Sequence, residues 1–311
     1  MKRKFFAYLV TLPRWFGLPA AVCAVLLGVA LGGHWGWLTA MVTLSAIFQM
    51  AYAHTFNALL DYSWTGLDRG AKEERSQGKP YTFGQQVIAD GILTPREVFA
   101  AGLAYLAISA GFAAVVSWKV SPIIWAIWVP LALCTFLYSY GKLHYFCEAA
   151  LGLGFGPLAV MLGASAAHHP DFKDAFLAGL PFALLFGYAA EIADQWLDAE
   201  PNIPKGLKNI GALLYRKDPR DRYLAPVLGL FFSLAYICQL GLVLSHVLEA
   251  ETCLSLWALP FFVLCLSTIS HDLGVTQCTA RSSLGKVGIF MGLGGIFIFM
   301  TLLLVGQIVG G

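Results

Sequence analysis

Two sets of carboxylates close apolar stretches of the chain: Asp61 and Asp68 end one, and Asp194 and Asp198 end another roughly 130 residues later. On a helix, positions four and seven apart return to nearly one face. Asp194 and Asp198 therefore project together, with Glu191 about a turn earlier. Asn57, Asp61 and Asp68 do so only if their helix runs on through Asp68, and Gly66 stands against that continuation. Carboxylate oxygens are hard ligands suited to Mg²⁺, with Mn²⁺ as a substitute, and such an ion completes its shell with substrate phosphate oxygens. Each set leads into a basic stretch that could hold further phosphate charge, with Arg75 and Lys79 after the first and Lys205 and Lys208 after the second; Lys142 is a fifth candidate. Acids at helix ends can also rest among lipid headgroups beside Lys and Arg. Repetition of the same arrangement favours a metal–diphosphate site.

The elements that position these residues are membrane-length. Charged residues make up 12% of the 311 residues and hydrophobic ones 58%, with a mean hydropathy of +0.70. No Asp, Glu, Lys or Arg occurs from Trp15 to Leu60. Apolar runs of about 20 residues read as transmembrane helices. Nine are expected, at 15–32, 36–60, 97–117, 121–139, 148–167, 174–197, 223–246, 254–270 and 287–309, forming one all-α membrane domain over 1–311. With the N-terminus in the cytoplasm, 18 of the 20 basic residues fall on that side, leaving Lys119 and Lys173 outside. Both acidic sets then face the cytoplasm, as do the two long polar stretches, 61–96 and 198–222, which are expected to cap a cavity open to that side.

The bland readings win elsewhere. The first apolar run follows a basic N-terminus but precedes eight more, so it reads as a membrane helix rather than a signal peptide. The seven cysteines form no CxxC pattern and read as small buried apolar residues. His168, His169, Asp171 and Asp174 fall in a short outer loop and read as solvated. Glycines in 152–163 and 288–295 are expected to permit close helix packing. His54 lies one turn deeper than Asn57, on its side of the helix. Nucleic acid is not an expected partner.

In these motifs the chain resembles the UbiA superfamily of intramembrane prenyltransferases. That family has nine helices and two Asp-rich motifs, NDxxDxxxD and DxxxD, at the ends of its second and sixth helices. The second is intact here as Asp194-Gln195-Trp196-Leu197-Asp198. The first appears as Leu60 to Asp68, keeping its outer aspartates but carrying Leu60 for the Asn and Trp64 for the central Asp. Further fragments resemble the menaquinone-type branch: Pro13-Arg14-Trp15 with Leu18-Pro19-Ala20, the stretch from Gly84 to Pro95, Tyr138 and Glu148, and Gly154 to Val160. Ala193 and Glu191 depart from that branch, where Arg and Asn are usual.

The resemblance implies an Mg²⁺-dependent transfer of an isoprenyl group from a prenyl diphosphate to a lipophilic, electron-rich acceptor, an aromatic quinone precursor above all. Asp61, Asp68, Asp194 and Asp198 would hold the metal. Asn57, Trp64, Arg75, Lys79, Tyr138, Lys142, Glu191, Lys205 and Lys208 would line the substrate site, with Trp64 walling the cavity or stacking on a cation. Two alternatives stay open: a membrane terpene cyclase with no acceptor, which the altered first motif suggests, and a channel or transporter, since these also use intramembrane charges.

Overall fold

A computed structural model describes residues 2–14, 18–33, 35–69, 86–218, 222–271 and 283–311, and it is helical with no strand among them. The principal helices are α1 (Leu18–Gly32), α2 (Trp37–Ser63), α3 (Pro95–Lys119), α4 (Ile124–Gly141), α5 (Cys147–Ala164), α6 (Phe172–Leu197), α7 (Leu224–Leu244), α8 (Ala250–Ile269) and α9 (Ile289–Gly310). The seven from α3 to α9 are long and apolar enough to cross a membrane. The chain is a multi-pass integral membrane protein.

The other two expected spans fall short for different reasons. Among the described residues helix α1 is apolar and covers 15 positions, roughly 22 Å at 1.5 Å per residue. Helix α2 has 27 residues but is too polar along its length. Its polar residues are interior: Ser45, Gln49, Thr55, Asn57 and Asp61 are all buried. Neighbouring helices satisfy several of them. Ser45 Oγ bonds the Ser109 carbonyl of α3 at 3.0 Å, and Gln49 Nε2 donates to the Trp128 carbonyl of α4 at 3.0 Å. Polar groups held this way cost little in an apolar bundle, because the alternative is an unpaired group in hydrocarbon.

Helices adjacent in sequence pack on one another, α9 closes onto α1, and α1 also lies against α5. Glycine makes the central contacts possible. A Cβ on Gly187 of α6 would overlap the Cα of Gly152 in α5, and one on Gly163 of α5 would overlap the Val25 carbonyl of α1. The expected close packing at 152–163 is thus present. In the C-terminal helix, Gly292 and Gly295 face α8, whereas Gly294 meets nothing within 4 Å. Helices α5 and α6 each contain π-helical turns, Gly154–Leu158 and Ala183–Ala190. The second directly precedes Glu191, so it resets the face on which Glu191 and Asp194 emerge. Such turns cluster at functional sites, and no hydrophobic pattern announces them.

Candidate active site at the helix ends

The C-terminal ends of α2, α4 and α6 converge. Helix α2 stops at Ser63, with Trp64 as its C-cap, and the chain turns through Gly66 at φ +71°, a left-handed conformation suited to glycine. The helix does not continue through Asp68. The turn instead folds Asp68 back, and its backbone N–H donates to the Asp61 carbonyl at 3.1 Å. Both aspartates are buried. They are neighbours through a tight turn rather than through helical spacing.

Lys142, directly after α4, makes an ion pair with Asp61 at 2.6 Å, Nζ to Oδ2, and the two side chains are 3% and 1% exposed. The ammonium also donates to Asn57 Oδ1 at 3.4 Å, which accepts from Ser139 Oγ at 3.0 Å, and it lies 4.5 Å from the centre of the Tyr138 ring. Thr65 Oγ1 reaches the other Asp61 oxygen at 3.5 Å. Burial pulls the Lys142 pKa down, but Asp61 and then Glu191 push it up, and the net value lies above the ordinary lysine range. Lys142 is a permanent cation, fixed by the first acidic set.

Tyr138 in turn donates to Glu191 Oε1 at 2.8 Å. Glu191 is buried, its neighbour Asp194 is exposed, and Asp198 is half-buried. Asp198 is the C-cap of the last turn of α6, its N–H bonded to the Asp194 carbonyl at 3.1 Å. A short helix, Ala199–Asn202, follows it directly. The open acidic end and the closed one are tied together. Lys205 Nζ donates to the Leu67 carbonyl at 2.7 Å, and Leu67 packs with Ala199, Leu207 and Ala212. Lys208 is exposed, and its backbone N–H and carbonyl pair with Lys142 and Tyr145. Arg75 and Lys79 lie outside the described residues.

Several residues that hold this arrangement were not singled out as site residues. Glu148 is 1% exposed and accepts the Ile210 N–H at 2.7 Å, at the start of helix Ile210–Lys217. Asn209 caps that helix by accepting from Ala212 N at 2.7 Å, and its amide donates to Gln195 Oε1 at 3.0 Å. A lone acid two residues into an apolar run was the available signal for Glu148. Trp64 is 53% exposed and stacks on Tyr140 at 5.7 Å, and Tyr140 stacks on His144 at 4.1 Å. Its described partners are thus aromatic rings at the end of α4. His168, His169 and Asp171 line a depression of about 620 Å³ with Ser121, and Asp171 caps the first turn of α6.

Among the described residues, no three His, Cys, Asp or Glu side chains are grouped so as to hold a metal ion. An all-protein cage is therefore not what these residues build. Their oxygens fit the other mode of a hard dication, in which one or two carboxylates share the ion with phosphate oxygens. Asp194 is exposed and Asp198 half-buried, whereas Asp61 and Asp68 are buried.

No protein-family model matches the chain, and no curated protein matches it. Solved structures do. A UbiA homologue from Aeropyrum pernix K1 superposes with a TM-score of 0.71 at 16% identity, covering 94% of this chain and 98% of its own. A UbiA homologue from Archaeoglobus fulgidus, bound to DMAPP and Mg²⁺, gives 0.63 at 17% identity over 97% and 99%. A digeranylgeranylglyceryl phosphate synthase gives 0.61 at 17% identity over 99% of both chains. Over almost its whole length, the chain has the fold of these UbiA homologues.

Proposed function

We propose that the chain is an intramembrane prenyltransferase that moves an isoprenyl group from a prenyl diphosphate to an electron-rich acceptor. The observation that carries this reading is the convergence of two acidic sets and a fixed ammonium at one end of an apolar bundle with the UbiA fold. The bundle is read as nine helices, with α1 and α2 completing the seven of full apolar length. The N-terminus is placed in the cytoplasm by the charge bias, and the acidic end opens on that side.

Divalent metal, Mg²⁺ or Mn²⁺, would be held by aspartates of the two motifs, and when bound it would neutralise diphosphate oxygens. Asp194 and Asp198 are foremost, since theirs is the intact motif. Lys205, Lys208, Arg75 and Lys79 would stabilise the departing negative charge. Tyr138, held by Glu191, walls the site beside Lys142. The apolar bundle excludes water from the electrophilic prenyl chain until a nucleophile attacks it. An aromatic acceptor of the quinone-precursor kind is the reading that the menaquinone-type fragments support. Trp64, in place of the central carboxylate, favours a second reading in which the prenyl chain reacts with itself.

The test is incubation of purified protein with prenyl diphosphates of several lengths, with and without extracted lipids and 1,4-dihydroxy-2-naphthoate, followed by mass spectrometry. A product carrying the acceptor mass is expected. A bare hydrocarbon or alcohol moves the assignment to cyclase. Absence of diphosphate release under every condition overturns the reading.

A further inference from the structure

We infer that Glu148 is a positioning residue for the second acidic motif: from α5 it holds the start of helix Ile210–Lys217, and that helix seats the end of α6 that carries Asp194 and Asp198. The inference rests on the proposed diphosphate chemistry and adds to it a residue outside both motifs.

Glu148 lies in the first turn of α5, buried, with both oxygens engaged. Oε1 accepts the Ile210 N–H at 2.7 Å, and Oε2 accepts from Cys147 Sγ at 3.2 Å. A helix leaves its first N–H groups unsatisfied and carries partial positive charge there. In helix Ile210–Lys217 two of them are met within the protein: Ala212 by the Asn209 side chain at 2.7 Å, and Ile210 by a carboxylate 62 residues earlier. A carboxylate buried this deeply is costly unless it is bonded, so Glu148 and the helix start stabilise each other. The same helix start reaches α6 by two contacts. Asn209, fully buried, donates to Oε1 of Gln195, the residue after Asp194, at 3.0 Å. A Cβ on Gly211 would lie 2.7 Å from the Trp196 nitrogen and 2.8 Å from the Ile192 carbonyl oxygen, so here backbone rests on backbone. This seat matters because the last turn of α6, Glu191–Leu197, follows the π-helical stretch Ala183–Ala190. That stretch breaks the regular helical repeat, so continuity of the helix does not alone fix the face on which the aspartates emerge. Helix α5 also braces the π-helical stretch itself, Gly152 against Gly187. Glu148 thus joins the brace before the motif to the seat beside it.

The experiment measures steady-state diphosphate release and amide hydrogen exchange on the full chain in detergent. Glu148→Ala removes the acceptor. Ile210→Pro removes the donor and leaves Glu148 in place. Proline suits the first position of a helix, and Asn209 before it is already extended at φ −150° and ψ 178°. Ile210→Ala controls for the lost side chain. A loosened seat lowers the fraction of chains competent to bind, which raises KM and spares kcat, because saturating substrate restores that fraction. Glu148→Ala and Ile210→Pro should each raise the KM for prenyl diphosphate about tenfold, with kcat within about threefold of wild type. Glu148→Gln keeps an accepting oxygen and should stay within about threefold of wild type in KM. Exchange should quicken at 191–198 as well as at 210–217. A fall in kcat at unchanged KM, exchange that quickens at 210–217 alone, or an Ile210→Pro protein that matches Ile210→Ala overturns the inference and leaves the proposed function standing. If Glu148→Ala does not fold, Ile210→Pro and Glu148→Gln carry the test. If the wild type releases no diphosphate, the proposed function falls, and exchange at 191–198 in Ile210→Pro still decides whether Glu148 seats α6.

Discussion

The two acidic ends look alike in sequence and differ in their surroundings. Asp61 is 1% exposed and ion-paired with Lys142, whereas Asp194 is exposed at the end of α6 and Asp198 half-buried beside it. A buried charge must be paired within the protein, because desolvation otherwise costs several kcal/mol. An exposed charge can remain hydrated until a ligand replaces its water. One end therefore holds a buried, ion-paired carboxylate, and the other carries its carboxylates nearer to solvent. Spacing reveals where carboxylates cluster but not how deeply each is buried.

The largest effect is expected at the open end. Asp194→Asn/Asp198→Asn keeps shape and hydrogen-bonding atoms while removing the charge, and diphosphate release should fall by about 10³-fold or more. Stability should change less than at the closed end, by about 1 kcal/mol or less, since Asp194 is exposed and Asp198 half-buried. Steady-state assays and thermal unfolding in detergent check both halves. Unchanged turnover, or a collapse in stability, would erase the contrast between the two ends.

At the closed end stability should respond first. Lys142→Met leaves the Asp61 carboxylate buried without its cation, at a cost of about 3–5 kcal/mol. Asp61→Asn/Lys142→Gln removes both charges and should recover most of that loss. Equal unfolding midpoints for the two variants would deny that the pair acts as an electrostatic unit. The pH dependence follows from the raised Lys142 pKa. The pair's contribution is complete below the ordinary lysine value of 10.5 and is lost only as pH climbs through the raised one. The stability gap between wild type and the double variant should thus be constant over about pH 6 to 9, as far as Lys142 is concerned.

How much was legible follows from the range of each interaction. Seven of the nine expected spans were readable because burial in lipid is recorded in composition, residue by residue. Helix α2 was readable only by its lack of charge up to Leu60, since Ser45 and Gln49 find their partners at Ser109 and Trp128, far away in sequence. Asp194 and Asp198 were readable because their relation is local. The Asp61–Lys142 pair was not: it joins positions 81 residues apart, and periodicity reports only the face of one helix. The backward fold of Asp68 was half legible, since Gly66 signalled a break without giving its direction. The π-helical turns before Glu191 left no mark in the pattern.

A smaller effect belongs to the joint between the two ends. Asn209→Ala removes the cap of helix Ile210–Lys217 and its bond to Gln195, at a cost of about 1–2 kcal/mol. The consequence should be local. Amide hydrogen exchange at 210–217 should quicken about tenfold or more, and the KM for prenyl diphosphate should rise more than kcat falls. Uniform exchange across α6 and α7 instead would mean that this helix is no separable joint.

The smallest effect is expected at Trp64, where the first motif departs most visibly from the second. The resemblance to the family motif would put a carboxylate here, yet the ring is 53% exposed and lies on Tyr140, 5.7 Å away with 23° between the ring planes. A stacked pair of this kind contributes about 0.5–1.5 kcal/mol beyond its buried area. Phenylalanine keeps a ring there, so Trp64→Phe should change stability by under about 1 kcal/mol and leave the product unchanged. Trp64→Asp tests the electrostatic contrast more directly, because it restores a second carboxylate one turn after Asp61 and half-exposed. It should tighten Mn²⁺ binding, making the two ends more alike. Mass spectrometry of products and an Mn²⁺ count on both variants check this. If Trp64→Phe redirects the product, Trp64 faces the reacting chain, and its stack on Tyr140 is a wall of the site rather than a surface contact.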